Sequence, residues 1–147
     1  MKTMLHASAG IFAIFCLLAF LSAILVSEIY YAPQDVIAVQ KTILQAMWAY
    51  IPLILFAGAI GYELGNERKG NIVQAKKRRM TAICLISIFL LFPSVFVLAT
   101  QSADDIRNTV FYGLEAFELV LMAFVVILLA LNARDGSRLT ADRPTQP

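Results

Sequence analysis

The sequence predicts an all-α integral membrane protein: an antiparallel bundle of four helices with both termini in the cytoplasm. Three observations carry that expectation. The chain has more apolar residue than a soluble core can hold, four apolar runs have spanning length, and lysine and arginine are distributed unevenly between the connecting segments. Hydrophobic residues make up 60% of the 147 positions and charged residues 15%. Soluble domains average roughly 45–50% and about 25%. A small soluble fold buries only part of the surface its unfolded chain exposes, so it cannot hide this excess; a bilayer removes the constraint. The chain therefore reads as one transmembrane domain over 1–132, followed by a flexible polar cytoplasmic tail over 133–147.

The first apolar run, 5–26, follows Lys2. It begins like a secretory leader, but it exceeds the roughly 7–15 apolar residues of a signal h-region, and Leu21 stands where a cleavage site wants a small residue. A retained helix over about 5–28 is expected. The second run predicts a helix over 43–64, interrupted at Pro52, whose ring leaves the carbonyl of Trp48 without its helical donor. Ala57, Gly61 and Gly65 share one face of that helix at four-residue spacing. Such a small-residue face permits close packing, either inside the bundle or between copies.

The third helix is expected over 79–101, with Pro93 freeing the carbonyl of Phe89. Lys76, Lys77, Arg78 and Arg79 sit at its start. That cluster fixes topology and meets anionic lipid headgroups, each residue gaining about 1 kcal/mol near such a surface. The fourth helix is expected over 107–132. All four runs are close to the roughly 20 residues that cross a hydrocarbon core, and backbone groups in lipid must be satisfied within the segment.

Orientation follows from charge. Of the twelve basic residues, only Lys41 and Arg107 fall in the loops opposite the termini. The positive-inside rule places the termini and the 65–79 loop in the cytoplasm, and the short loops fit a bacterial inner membrane. The net charge of +2 is too small to suggest nucleic-acid binding. Cys16 and Cys84 lie in apolar runs without metal or redox spacing and read as small buried hydrophobes.

The polar residues inside the runs concentrate the chemistry. Glu115 and Glu118 lie on neighbouring parts of one helix face. The apolar stretch 110–131 has its midpoint between Val120 and Leu121, so Glu118 lies ~4 Å and Glu115 ~8 Å to its outer side. Ionised carboxylates in lipid cost several kcal/mol, so this face is expected to point into the bundle or toward water. None of the four runs contains a lysine or arginine to neutralise them. Protonation, a bound cation, a water-filled cavity or a partner's cationic group remain as explanations. Pro52, Pro93, Ser94, Gln45, Trp48 and Tyr112 share the outer half, which together would outline a shallow polar cavity for a proton, a cation or a partner.

His6 is the single histidine, near the cytoplasmic end of the first helix. A haem could be ligated by it only between two protomers or with a different second ligand; no metal or cofactor is otherwise expected. There is no P-loop, triad or paired-histidine motif, which disfavours a self-contained enzyme. The first expectation is a non-enzymatic accessory or assembly subunit in a homo-oligomer or with a membrane-protein partner. The alternatives are a small oligomeric proton- or cation-coupled transporter or channel, and a haem-linked redox or lipid-modifying enzyme.

Overall fold

The computed structural model describes residues 2–66, 70–102 and 108–141, and all regular structure among them is helical. Helix α1 spans Lys2–Tyr30, α2 Pro33–Asn66, α3 Asn71–Ile86, α4 Phe92–Ala99 and α5 Thr109–Ala141. A π-helical turn, Ser87–Leu91, joins α3 to α4, so these two form one continuous rod. The described residues thus make four rods, each long and apolar enough to cross a membrane: Met4–Tyr30, Pro33–Gly65, Asn71–Ala99 and Thr109–Ser137.

Local signals start each rod. Pro33 opens α2, where its missing N–H is one the helix would leave unpaired anyway. Asp35 in the same first turn complements the positive end of the helix dipole. Gly70, with φ of 148°, occupies a conformation that side-chain-bearing residues avoid, and α3 begins immediately after it. Asn108 Oδ1 accepts the Val110 N–H at 3.1 Å and caps the start of α5.

The rods extend beyond the apolar runs. Helix α2 begins at residue 33 rather than 43, α3 at 71 rather than 79, and α5 continues to 141. Residues 133–141, expected in the tail, are therefore helical; 142–147 lie outside the described residues. Hydrophobicity marks where lipid contact is tolerated, whereas backbone hydrogen bonding carries a helix on through polar turns. On α5 the extension is held by an ion pair between Asp135 and Arg79 of α3 at 2.6 Å.

The two prolines behave differently. Before Pro93 the helix widens, and the Phe92 N–H donates to the Ser87 carbonyl five residues back. That wider turn accommodates the proline ring without ending the rod. Helix α2 runs through Pro52, whose ring lies on an exposed face.

Buried positions recur every three or four residues, the signature of helices packed along a narrow seam. The seam uses Ala9, Ala13, Leu17, Phe20 and Ile24 of α1, then Ile43, Met47, Tyr50, Ile54 and Ala57 of α2. It continues with Met80, Ile83, Leu91 and Val95 of the third rod and Leu121, Met122, Val125 and Leu129 of α5. Helix α1 packs on α2 and α5, while the third rod packs on α2 and α5 from the other side. This closes a four-membered ring around one apolar core.

Candidate functional site

At the end of the bundle carrying the α1–α2 turn, the seam changes chemistry. Continuing the α2 stripe back from Met47 and Ile43 by one turn reaches Gln40, which is completely buried. Continuing the α5 stripe back from Met122 reaches Glu118, also completely buried, and then Glu115, 4% exposed. The spacing that made the core therefore delivers one amide and two carboxyl groups to the bundle interior.

They meet there. Gln40 Nε2 donates to Glu115 Oε1 at 3.5 Å and to Glu118 Oε2 at 3.3 Å, so one amide group clasps α2 to two successive turns of α5. Glu28, near the end of α1, sets a third carboxyl group against Glu115. Among the described residues, three buried oxygens are left without a hydrogen-bond partner: Gln40 Oε1, Glu118 Oε1 and Glu28 Oε1. All three are acceptors, so the cluster is short of hydrogen, not of places to put it. Among the described residues, no lysine or arginine hydrogen-bonds or ion-pairs with Glu115 or Glu118. Lys41, beside Gln40 in sequence, is exposed, and Arg107 lies outside the described residues.

The floor of the cluster is apolar. Ile24, Ile43, Met47, Leu121 and Met122 follow within two turns on the three helices. The next buried polar pair is Tyr50 Oη and Ser87 Oγ, 3.4 Å apart, ten residues along α2 from Gln40, or ~15 Å. Beside the cluster, Val36, Ile37, Leu98 and Phe111 make a small apolar seal nearer the turn end.

Ser94 is buried, with its hydroxyl donating to the Leu91 carbonyl at 2.8 Å within its own helix. Gln45, Trp48 and Tyr112 lie on exposed faces instead of joining the glutamates. Trp48, 68% exposed, packs edge-to-face with Phe92 across two rods. The fully buried Gln40, and Glu28, complete the cluster in their place. Both lie outside the apolar runs; extending the three-to-four spacing of the α2 stripe one turn would have found Gln40.

At the opposite end the small residues of α2 are used within the chain. His6 Nδ1 bonds the Ala57 carbonyl at 2.9 Å, and a Cβ on Gly61 would lie 2.7 Å from His6 Cε1. A Cβ on Gly65 would meet the Lys77 side chain. Lys77 Nζ sits 4.5 Å from the centre of the Tyr62 ring. A Cβ on Gly136 would come within 2.9 Å of Lys76 Nζ. Arg79 donates to Asp135 at 2.6 Å and to Asn132 at 3.5 Å. Of the four basic residues before the third apolar run, Arg78 is the exposed one.

Chemically, the turn-end cluster can hold protons or accept a donor. Among the described residues, no three histidine, cysteine, aspartate or glutamate groups converge tightly enough to hold a metal ion. No protein-family model, curated protein or solved structure matches this chain.

Proposed function

We propose that this chain is a small four-span membrane protein working as a non-enzymatic accessory or assembly subunit. In this reading the helices run antiparallel, the turn end faces outward from a bacterial inner membrane, and both termini are cytoplasmic. One observation carries it: polar side chains inside the bundle tie its own helices to one another. Gln40 clasps Glu115 and Glu118, Tyr50 meets Ser87, and Arg79 holds Asp135 and Asn132. The surface left for function is then the outside of the rods, where a second copy or another membrane protein would pack. The exposed Arg78 is the basic residue best placed for anionic lipid at the cytoplasmic face.

Mild detergent extraction followed by native mass spectrometry tests the reading. A stoichiometric partner or a defined homo-oligomer is expected; a stable monomer with nothing bound overturns it. The same measurement detects a retained haem, for which His6 would be the ligand.

A proton- or cation-coupled transporter is the second reading, supported by the unpartnered oxygens of the carboxyl cluster. The apolar floor beneath Glu118 favours the accessory role, because protons reaching the cluster from the outer side meet an apolar core beyond it. Proteoliposomes that move protons or alkali cations, and lose that movement in Glu118→Gln, would establish transport instead.

A further inference from the structure

The unpartnered atoms of Gln40 and Glu118 are complementary. The amide nitrogen of Gln40 already donates to Glu118 Oε2 at 3.3 Å. What remains on these two groups is the second oxygen of the carboxyl and the oxygen of the amide, both buried and both without a donor. A buried acceptor with no donor is costly, and here there are two, on groups already joined by one hydrogen bond. A single hydrogen between them satisfies both, because a carboxylic acid and a primary amide pair through two hydrogen bonds in one closed ring. The amide N–H goes to the acid carbonyl oxygen, and the acid O–H goes to the amide oxygen.

We infer that Gln40 and Glu118 form a built-in proton site, in which a hydrogen on Glu118 Oε1 donates to Gln40 Oε1 while Gln40 Nε2 donates to Glu118 Oε2. The ligand is the proton itself. One hydrogen satisfies both orphaned oxygens, turns a buried anion into a neutral acid and leaves the second amide hydrogen for Glu115.

The surroundings agree from every packed element. Helix α1 contributes the carboxyl of Glu28, and α5 contributes the carboxyl of Glu115. On α2, Lys41 and Asp35 are exposed. The third rod contributes Val95 and Leu98, which are apolar, and Ser94, whose hydroxyl is committed to Leu91. Among the described residues nothing cationic competes with the proton.

The site is independent of the accessory-subunit reading and is tested without a partner. Infrared spectra of the full chain in lipid, at neutral pH with labelled glutamate, are expected to show the carbonyl band of a protonated, hydrogen-bonded carboxyl group. That band should vanish in Glu118→Gln, which keeps the shape of the ring and folds with an amide pair in place of the acid–amide pair. In Gln40→Leu it should shift to higher frequency as the acid loses its partner. Gln40→Asn provides a gentler disruption should the leucine variant fail to fold. Absence of any band lost in Glu118→Gln overturns the proposal, as does a band unmoved by both Gln40 variants. Loss of the band on adding sodium or potassium at constant pH also overturns it, in favour of an alkali cation.

Discussion

At the His6 end of the bundle, Asp135 faces Arg79 at 2.6 Å and is also reached by Arg134 at 3.5 Å. At the turn end, Glu115 and Glu118 face an amide. Both regions place acidic residues on the buried stripe of the same helix, seventeen positions apart between Glu118 and Asp135. Asp135 is balanced by a full positive charge; Glu115 and Glu118 receive only hydrogen-bond donors. The difference teaches what each end can tolerate. A carboxylate with an arginine stays ionised and serves as a fixed tie between rods. A carboxyl whose partner is an amide can exchange its proton without losing its partner.

The largest effect is expected where charge meets charge. Arg79→Ala leaves Asp135, at 9% side-chain exposure, with only the longer 3.5 Å contact to Arg134 and removes the contact holding the end of α5 to α3. A loss of about 3 kcal/mol is expected, at the lower end for breaking a buried pair because Arg79 is itself partly exposed. Thermal unfolding in detergent measures it, and Arg79→Ala combined with Asp135→Ala should recover much of the loss. A double variant as unstable as the single one would show that the tie is not what Arg79 contributes.

Gln40→Leu asks the same of the turn end. It deletes the donors of two carboxyl groups, and a loss of about 2 kcal/mol is expected from buried acceptors left unsatisfied. The effect stays below that of Arg79→Ala because no unpaired full charge need remain. A larger loss than for Arg79→Ala would mean that the glutamates are ionised, which would erase the contrast between the ends.

The number and placement of rods could be read from the sequence because lipid-length apolar runs are a strong, local signal. Glu115 and Glu118 stood out for the same reason: carboxyl groups interrupt one of those runs. Gln40 and Glu28 did not, since they lie outside the apolar runs and only the stripe, not hydropathy, connects them to the core. Trp48, Gln45 and Tyr112 share the glutamates' depth but lie on other faces, and depth alone does not distinguish faces. Residues 133–141 read as tail because polar composition masks a helix held by a tertiary ion pair.

Small-residue packing at the His6 end supplies a third comparison. A methyl group on Gly61 would come within 2.7 Å of the His6 ring. Gly61→Ala is expected to cost about 1–2 kcal/mol as the imidazole is pushed from the Ala57 carbonyl, a typical overpacking penalty. Combining it with His6→Ala should relieve the clash. If the pair is no better than Gly61→Ala alone, the glycine serves a contact other than the histidine niche.

The smallest effect belongs to the deepest glutamate, and it sharpens the contrast most. Glu118→Gln replaces one neutral group by another of the same shape if Glu118 already carries its proton. The new amide can give a hydrogen to Gln40 Oε1 and accept one from Gln40 Nε2, so the clasp between α2 and α5 survives. A change under about 0.5 kcal/mol is expected, in the range of substitutions that disturb no special feature. The parallel change at the other end, Asp135→Asn, removes the anion opposite Arg79 and should cost more, because hydrogen bonds to charged groups are worth about 1.5–3 kcal/mol against about 1 for neutral ones. Unfolding both variants side by side at neutral pH therefore reads the charge state of each end directly: equal losses would place an anion at both, while a silent Glu118→Gln beside a costly Asp135→Asn leaves the proton where the geometry has room for it.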